Sequence, residues 1–191
     1  MAGHGRTNSE RQSSLPDAEE RASIGESTAS MAAQEGKAPR GWLSPWIGES
    51  DATSNPLTEA GYRYTLNWCS DDQPIGHATG HGPLMAIPCL QEVDDIPAVV
   101  ARKDGAAQFA EMIVDDLEER LRQVRDGVAQ ALGMALHPYI IGQPYRTRAL
   151  RRALAHMAAR HDALWFTTAG GVFDHAAALP PGSISGGSLR R

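Results

Sequence analysis

The chain has 191 residues, 41% of them hydrophobic and 21% charged, with a net charge of -5 and a pI near 5.8. That suffices for one globular domain with a substantial core, and it lacks the concentrated basic footprint of a dedicated nucleic-acid binder. No apolar run approaches the ~20 residues that span a bilayer, and residues 1–15 lack the apolar stretch of a signal peptide.

Residues 17–36 predict a helix: Pro16 and Asp17 open it, acids fill its first turn, and Gly36 stands where it should stop. Residues 40–46 read as a short strand running into a loop, and residues 53–60 as a short helix closed by Gly61. Alternation over 62–66 predicts another strand, whereas 67–82 is polar and glycine-rich and reads as a long loop. A brief strand is expected at 84–88, and Pro97 opens or interrupts a short helical patch.

The longest regular element should be a helix over 106–125. Phe109, Ile113, Leu117, Leu121 and Val124 recur at steps of three or four, and Glu118 is placed to pair with Arg122. Strands are expected at 134–136 and 163–167 and a last helix at 172–179. Between them runs a basic amphipathic helix. Its Leu150, Leu154 and Met157 share one face, with Arg148, Arg151, Arg152 and Arg160 largely on the others as a solvated charge run. Strands alternating with helices imply an α/β architecture with parallel pairing, here over 1–179, followed by a flexible Gly/Ser-rich tail at 180–191.

His137 is the leading candidate for chemistry. It ends an apolar run just before the Gly142-Gln143-Pro144 loop, where βα scaffolds carry catalytic groups, although a structural histidine fits the position as well. Asp71 and Asp72 follow a strand and could orient a catalytic group or bind substrate; Glu92, Asp94 and Asp95 read more simply as caps of the next helix. Trp42, Trp46 and Trp68 suit packing, or a platform for ring-shaped ligands. His4 lies near the N-terminus, four residues before Asn8. His77 and His81 share that spacing, but Gly76, Gly80 and Gly82 argue against the helix that would give a metal pair its geometry. Cys69 and Cys89 read as reduced thiols of a cytoplasmic protein, with a disulfide or zinc site the lesser alternative.

Four blocks in order carry a resemblance: His4-Gly5-Arg6-Thr7-Asn8, Arg40-Gly41-Trp42-Leu43-Ser44-Pro45-Trp46, Gly61-Tyr62-Arg63-Tyr64 through Asp71-Asp72-Gln73-Pro74, and Leu136-His137-Pro138 with Gly142-Gln143-Pro144-Tyr145-Arg146. Through them residues 3–179 resemble the C-terminal two-thirds of the polysaccharide deacetylase family, the NodB-homology fold, in its allantoinase-like branch. The resemblance implies an incomplete (β/α) barrel lacking its first strands, and a hydrolase of carbon–nitrogen bonds other than peptide bonds that deacetylates an N-acetylated sugar or small amide. It implies His137 as general acid and His4 as metal ligand; beside these, Asp71 and Asp72 stand as further catalytic candidates and Trp42, Trp46, Trp68 and Arg146 as candidates for the substrate. A divalent, zinc-like metal and metal-free catalysis are both open, because Asn8 stands where the family's second histidine would be. The aspartate pair that precedes this block in the family is not in the chain, so a truncated, inactive remnant that binds a ligand or pairs with a partner is the alternative. An unpaired sheet edge would then favour a homo-oligomer. A nucleic acid or membrane partner is not expected.

Overall fold

The computed structural model describes residues 1–125, 127 and 129–186. In chain order its elements are β1 (Ala2–Gly3), α1 (Asp17–Glu35), β2 (Gly41–Trp42), α2 (Ser54–Glu59), β3 (Tyr64–Thr65), β4 (Ile75–Thr79), β5 (Gly82–Ala86), α3 (Ala106–Val124), α4 (Pro138–Ile141), α5 (Pro144–Ala158) and α6 (Ala169–Ala178). They form two compact units, Met1–Pro88 with Thr167–Arg191, and Cys89–Phe166. No described helix is long and apolar enough to cross a membrane.

The first unit is a five-stranded sheet in the order β1-β2-β3-β5-β4. β1, β2, β3 and β5 run parallel and β4 is antiparallel to β5, so the α/β expectation holds and the sheet is open, with β1 and β4 at its edges. Helices α1 and α2 provide the crossovers that parallel pairing requires. α1 begins with Asp17, Glu19 and Glu20 in its first turn, where the helix dipole favours acids, and ends at Gly36 in the left-handed region (φ 70°).

Successive β5 residues face opposite sides, as a strand's period of two demands. Leu84 joins Ile24, Trp42, Leu57 and Tyr62 in one cluster, whereas Met85 joins Tyr64, Ile87, Phe173 and Ala176 in another. Glycine is required where the strands carry aromatic rings: a Cβ on Gly3 would lie 2.6 Å from the Trp42 ring, and one on Gly41 would overlap the Tyr64 ring. The Glu20 carboxylate is buried on the α1 side. It is satisfied by Gln12 Nε2 (2.8 Å), Ser50 Oγ (2.7 Å) and the Thr53 hydroxyl, which ties α1 to the loop after β2.

The second unit packs α3 on α5. Of the stripe predicted for α3, Leu121 is partly buried and Val124 is exposed, whereas Phe109, Ile113 and Leu117 are buried and meet Ala149, Ala153 and Met157 of α5, the two alanines letting the helices approach. The apolar face of α5 is therefore set by alanines; Leu150 is partly buried and Leu154 is exposed. Glu118 does not pair with Arg122. It joins His156 (2.6 Å) and Arg160 (2.7 Å) of the neighbouring α5 segment, while Arg122 pairs with Glu119.

Three expectations are corrected. The segment 67–82 is not all loop, because Ile75–Thr79 forms β4, a hairpin with β5 turning at Gly80-His81. Residues 134–136 form no strand; the segment is held by single bonds, Leu90 N–H to Gly133 O (3.1 Å) and Asp95 N–H to Ala135 O (3.3 Å). Residues 163–167 form none either, and Trp165 and Phe166 are exposed. A strand exists only through its ladder, which local apolar content does not supply. Residues 180–186 run beside β4, with Gly76 N–H donating to Ser185 O at 2.8 Å. The rest of the expected tail, 187–191, lies outside the described residues.

Candidate functional site

In the second unit, the chain entering at Cys89 turns at Asp94 and Asp95 into a π-helical stretch, Ile96–Ala101. Asp94 Oδ1 accepts the Ile96 N–H at 2.9 Å, a local turn bond of the capping type the sequence suggested. Asp95 is fully buried and reaches elsewhere. Its Oδ1 lies 2.6 Å from His137 Nδ1, and its Oδ2 accepts the His137 backbone N–H at 2.8 Å. His137 precedes α4, where its carbonyl accepts the N–H groups of Ile140 and Ile141 and its extended backbone leaves its own N–H free for Asp95. The imidazole edge rests on Tyr139, with ring centroids 5.6 Å apart.

The carboxylate can only accept, so the proton of a neutral His137 sits on Nδ1 and Nε2 carries the free lone pair. Nε2 makes no hydrogen bond among the described residues, and the side chain is 24% exposed against 0% for Asp95. The arrangement can take up and release a proton at Nε2 while Asp95 stabilises the imidazolium. Asp94 adds a second carboxyl 3.9 Å from Nδ1; burial pushes its pKa up, partly countered by the Ile96 bond and His137.

Asp94, Asp95 and His137 offer ligand atoms within 4.8 Å of one another, a grouping able to hold a metal ion. Their hydrogen bonds fit an ion poorly. Asp95 spends both oxygens on His137, and His137 spends Nδ1 on Asp95, so coordination through these atoms would break the bonds that orient the ring.

The other candidates lie in the first unit or are otherwise engaged. His4 donates from Nδ1 to Leu43 O (2.6 Å), and its Nε2 is 3.1 Å from the Asn8 amide oxygen, so both nitrogens have partners. No cluster of three or more metal-binding groups includes His4 among the described residues. Asp71 and Asp72 sit in the loop before β4, Asp71 Oδ1 accepting the Asp72 N–H; the carboxylate that orients His137 is Asp95. Trp42 is completely buried edge-on against Tyr62, its indole N–H bonded to Ser44 and Gln12, which leaves no ring face for a ligand. Trp46 is 60% exposed, in a left-handed backbone (φ 63°) followed by Ile47 at φ 53°. Its indole donates to Asn8 O, and Arg11 lies over the ring. Trp68 is exposed beside His77. His77 and His81 serve separately, His81 pairing with Glu59 at 2.8 Å. Arg146 lies over the Tyr145 ring and donates to Ile140 O (3.1 Å), so it clamps α4.

Two residues carry no sequence signal for the roles they take. Asp95, placed by sequence to cap the next helix, follows the polar stretch Gln91-Glu92-Val93-Asp94, and its partner His137 is 42 positions away. Glu49, in the loop after β2, has one oxygen bonded to Asn67 Nδ2 and the other buried without a partner; burial pushes its pKa up.

No protein-family model matches the chain, and no curated protein matches it in sequence. Solved structures do match in fold. A Mycobacterium smegmatis protein assigned as a polysaccharide deacetylase superposes with a TM-score of 0.80 at 24% identity, over 100% of this chain and 66% of its own. The Puue allantoinase gives 0.82 at 23% identity, over 93% of this chain and 58% of its own. A Pseudomonas aeruginosa PAO1 protein assigned as a polysaccharide deacetylase gives 0.80 at 23%, over 92% and 58%. The chain thus spans 58% to 66% of the length of the structures it matches.

Proposed function

We propose that this chain, which has the fold of polysaccharide deacetylases and of an allantoinase, hydrolyses a carbon–nitrogen bond other than a peptide bond, with His137 as the proton donor to the leaving nitrogen. The observation that carries the reading is the two-point grip of Asp95 on His137. As water adds to the substrate carbonyl, its proton passes to the lone pair of His137 Nε2; as the carbon–nitrogen bond breaks, Nε2 hands that proton to the departing nitrogen and returns to its neutral form. Asp95 keeps the ring in the tautomer and orientation for that transfer and offsets the positive charge of the imidazolium.

The substrate in this reading is an N-acetylated sugar or a small amide. No metal-dependent step is drawn, since the residues around His137 are committed to one another. A cytoplasmic setting suits two cysteines that form no disulfide. Association of copies through the β1 edge is expected, and light scattering that returns only monomer at high concentration would count against it.

The test is release of acetate from N-acetylglucosamine oligomers and of ammonia or carboxylate from small ureides, by the wild type and by His137→Ala. Turnover of either class that falls by ~10²-fold or more in the variant supports the reading. Turnover unchanged by the substitution would overturn it.

A further inference from the structure

His137 stands at the head of α4, and the turn that carries it has little freedom. The Ile140 and Ile141 N–H groups donate to His137 O at 2.9 Å, and the Gly142 N–H donates to Pro138 O at 3.0 Å. A Cβ on Gly142 would lie 2.2 Å from that same oxygen, so the turn closes this tightly only on glycine. From α5, Arg146 donates to Ile140 O (3.1 Å) and Thr147 Oγ1 to Ile141 O (2.9 Å). The side chains of Ile140 and Ile141 are buried in the core with Phe109 and Ala149.

Tyr139, one residue before them, takes no part in that core. It is 65% exposed, and its ring centroid lies 5.6 Å from that of the His137 imidazole, at an interplanar angle of 64°. Pro138 fixes the backbone on one side and buried Ile140 fixes it on the other, so the turn holds this ring in water beside the imidazole. A tyrosine has only two side-chain torsions to order, and a ring already set in place gives up little freedom when a ligand packs on it. Its face carries partial negative charge, which suits the C–H groups of a saturated ring; an acyclic amide offers far less area to it. A group attached to a nitrogen that takes the proton from Nε2 is brought alongside Tyr139.

We propose that Tyr139 is a specificity-determining residue that packs against a ring borne by the scissile nitrogen, so that amides carried on a sugar or other saturated ring are preferred to acyclic amides. This inference rests on His137 as proton donor for its place in the reaction, and its test reads binding, which needs no turnover.

The experiment titrates the full chain with N-acetylglucosamine and with N-methylacetamide, a small amide of the same acetyl group without the ring, followed by the side-chain resonances of His137 and Tyr139. Saturable binding of N-acetylglucosamine that shifts both is expected, tighter than N-methylacetamide. Tyr139→Ala should weaken it about three- to tenfold. Tyr139→Phe, which keeps the ring face, should weaken it less than twofold, as should Tyr145→Ala, which removes a 60% exposed ring of α5 that Arg146 covers. N-methylacetamide binding should change less than twofold in Tyr139→Ala. Circular dichroism of each variant confirms that it is folded. The proposal is overturned by no saturable binding of N-acetylglucosamine, by a loss under twofold in Tyr139→Ala, by an equal loss in Tyr139→Phe or Tyr145→Ala, or by an equal loss for both probes. Turnover unchanged in His137→Ala would instead sink the proton-donor reading and leave Tyr139 as a ring-binding residue.

Discussion

Asp95 binds His137 at two points, through the ring at Nδ1 and through the backbone N–H, and the two bonds use different oxygens of one buried carboxylate. The imidazole therefore cannot turn about its own bonds without abandoning Oδ1, and Asp95 cannot swing away without also abandoning a backbone group that burial would leave unsatisfied.

Asp95→Asn should keep the fold and change the tautomer. An amide has one acceptor and one donor where the carboxylate has two acceptors; with its oxygen on the His137 backbone N–H, its NH₂ faces Nδ1 and forces the proton to Nε2. Nitrogen-15 spectra of the imidazole should show the exchange, and hydrolytic turnover should fall by ~10²–10⁴-fold. Retention of the Nδ1 proton in the variant would show that the orientation comes from elsewhere.

The pKa values of Asp94 and Glu49 are both raised, burial being the leading cause at each. A carboxyl with a raised folded pKa holds its proton more tightly when folded. Its contribution is fully present at pH below the ordinary carboxylate range and is lost as pH rises through the folded value. Asp94→Asn keeps an oxygen for the Ile96 N–H and removes the buried charge, so its stability relative to wild type should grow from pH 4 to pH 7 in urea melts. A difference that stays flat across that window would contradict the assignment.

Phe109→Ala should cost about 3–5 kcal/mol in urea denaturation of the Cys89–Phe166 unit, because Phe109 is 1% exposed among Ile113, Ile140, Ala149 and their neighbours. A loss below about 1 kcal/mol would mean that the α3–α5 seam collapses around the vacancy rather than keeping it.

Lys103 is exposed with φ 65°, a left-handed backbone that glycine adopts without a Cβ clash. Lys103→Gly should raise stability by about 0.5–1 kcal/mol, the relief of the left-handed conformation less the greater chain entropy of glycine. A thermal midpoint below wild type would show that the lysine side chain contributes a contact worth more than that strain.

The sequence by itself determined the helices α1, α2, α3, α5 and α6 and the parallel strands β2, β3 and β5, but not the short α4 or the antiparallel β4. The stripe of Phe109, Ile113 and Leu117 and the stop at Gly36 are local matters of period and backbone freedom, and both stand in the structure. It also singled out His137, through an apolar run that ends in a polar group beside a Gly/Pro loop. Tertiary structure decided what depends on partners distant in the chain. Whether Ile75–Thr79 is a strand and residues 134–136 are not was settled by which ladder each could join. Trp42 and Trp46, four positions apart, became a buried core ring and an exposed one because Tyr62 and Gln12 close over the first. The carboxylate of His137 came from Asp95 rather than Asp71 or Asp72 because a hydrogen bond is chosen by distance in space, and 42 residues of chain separate the two that meet.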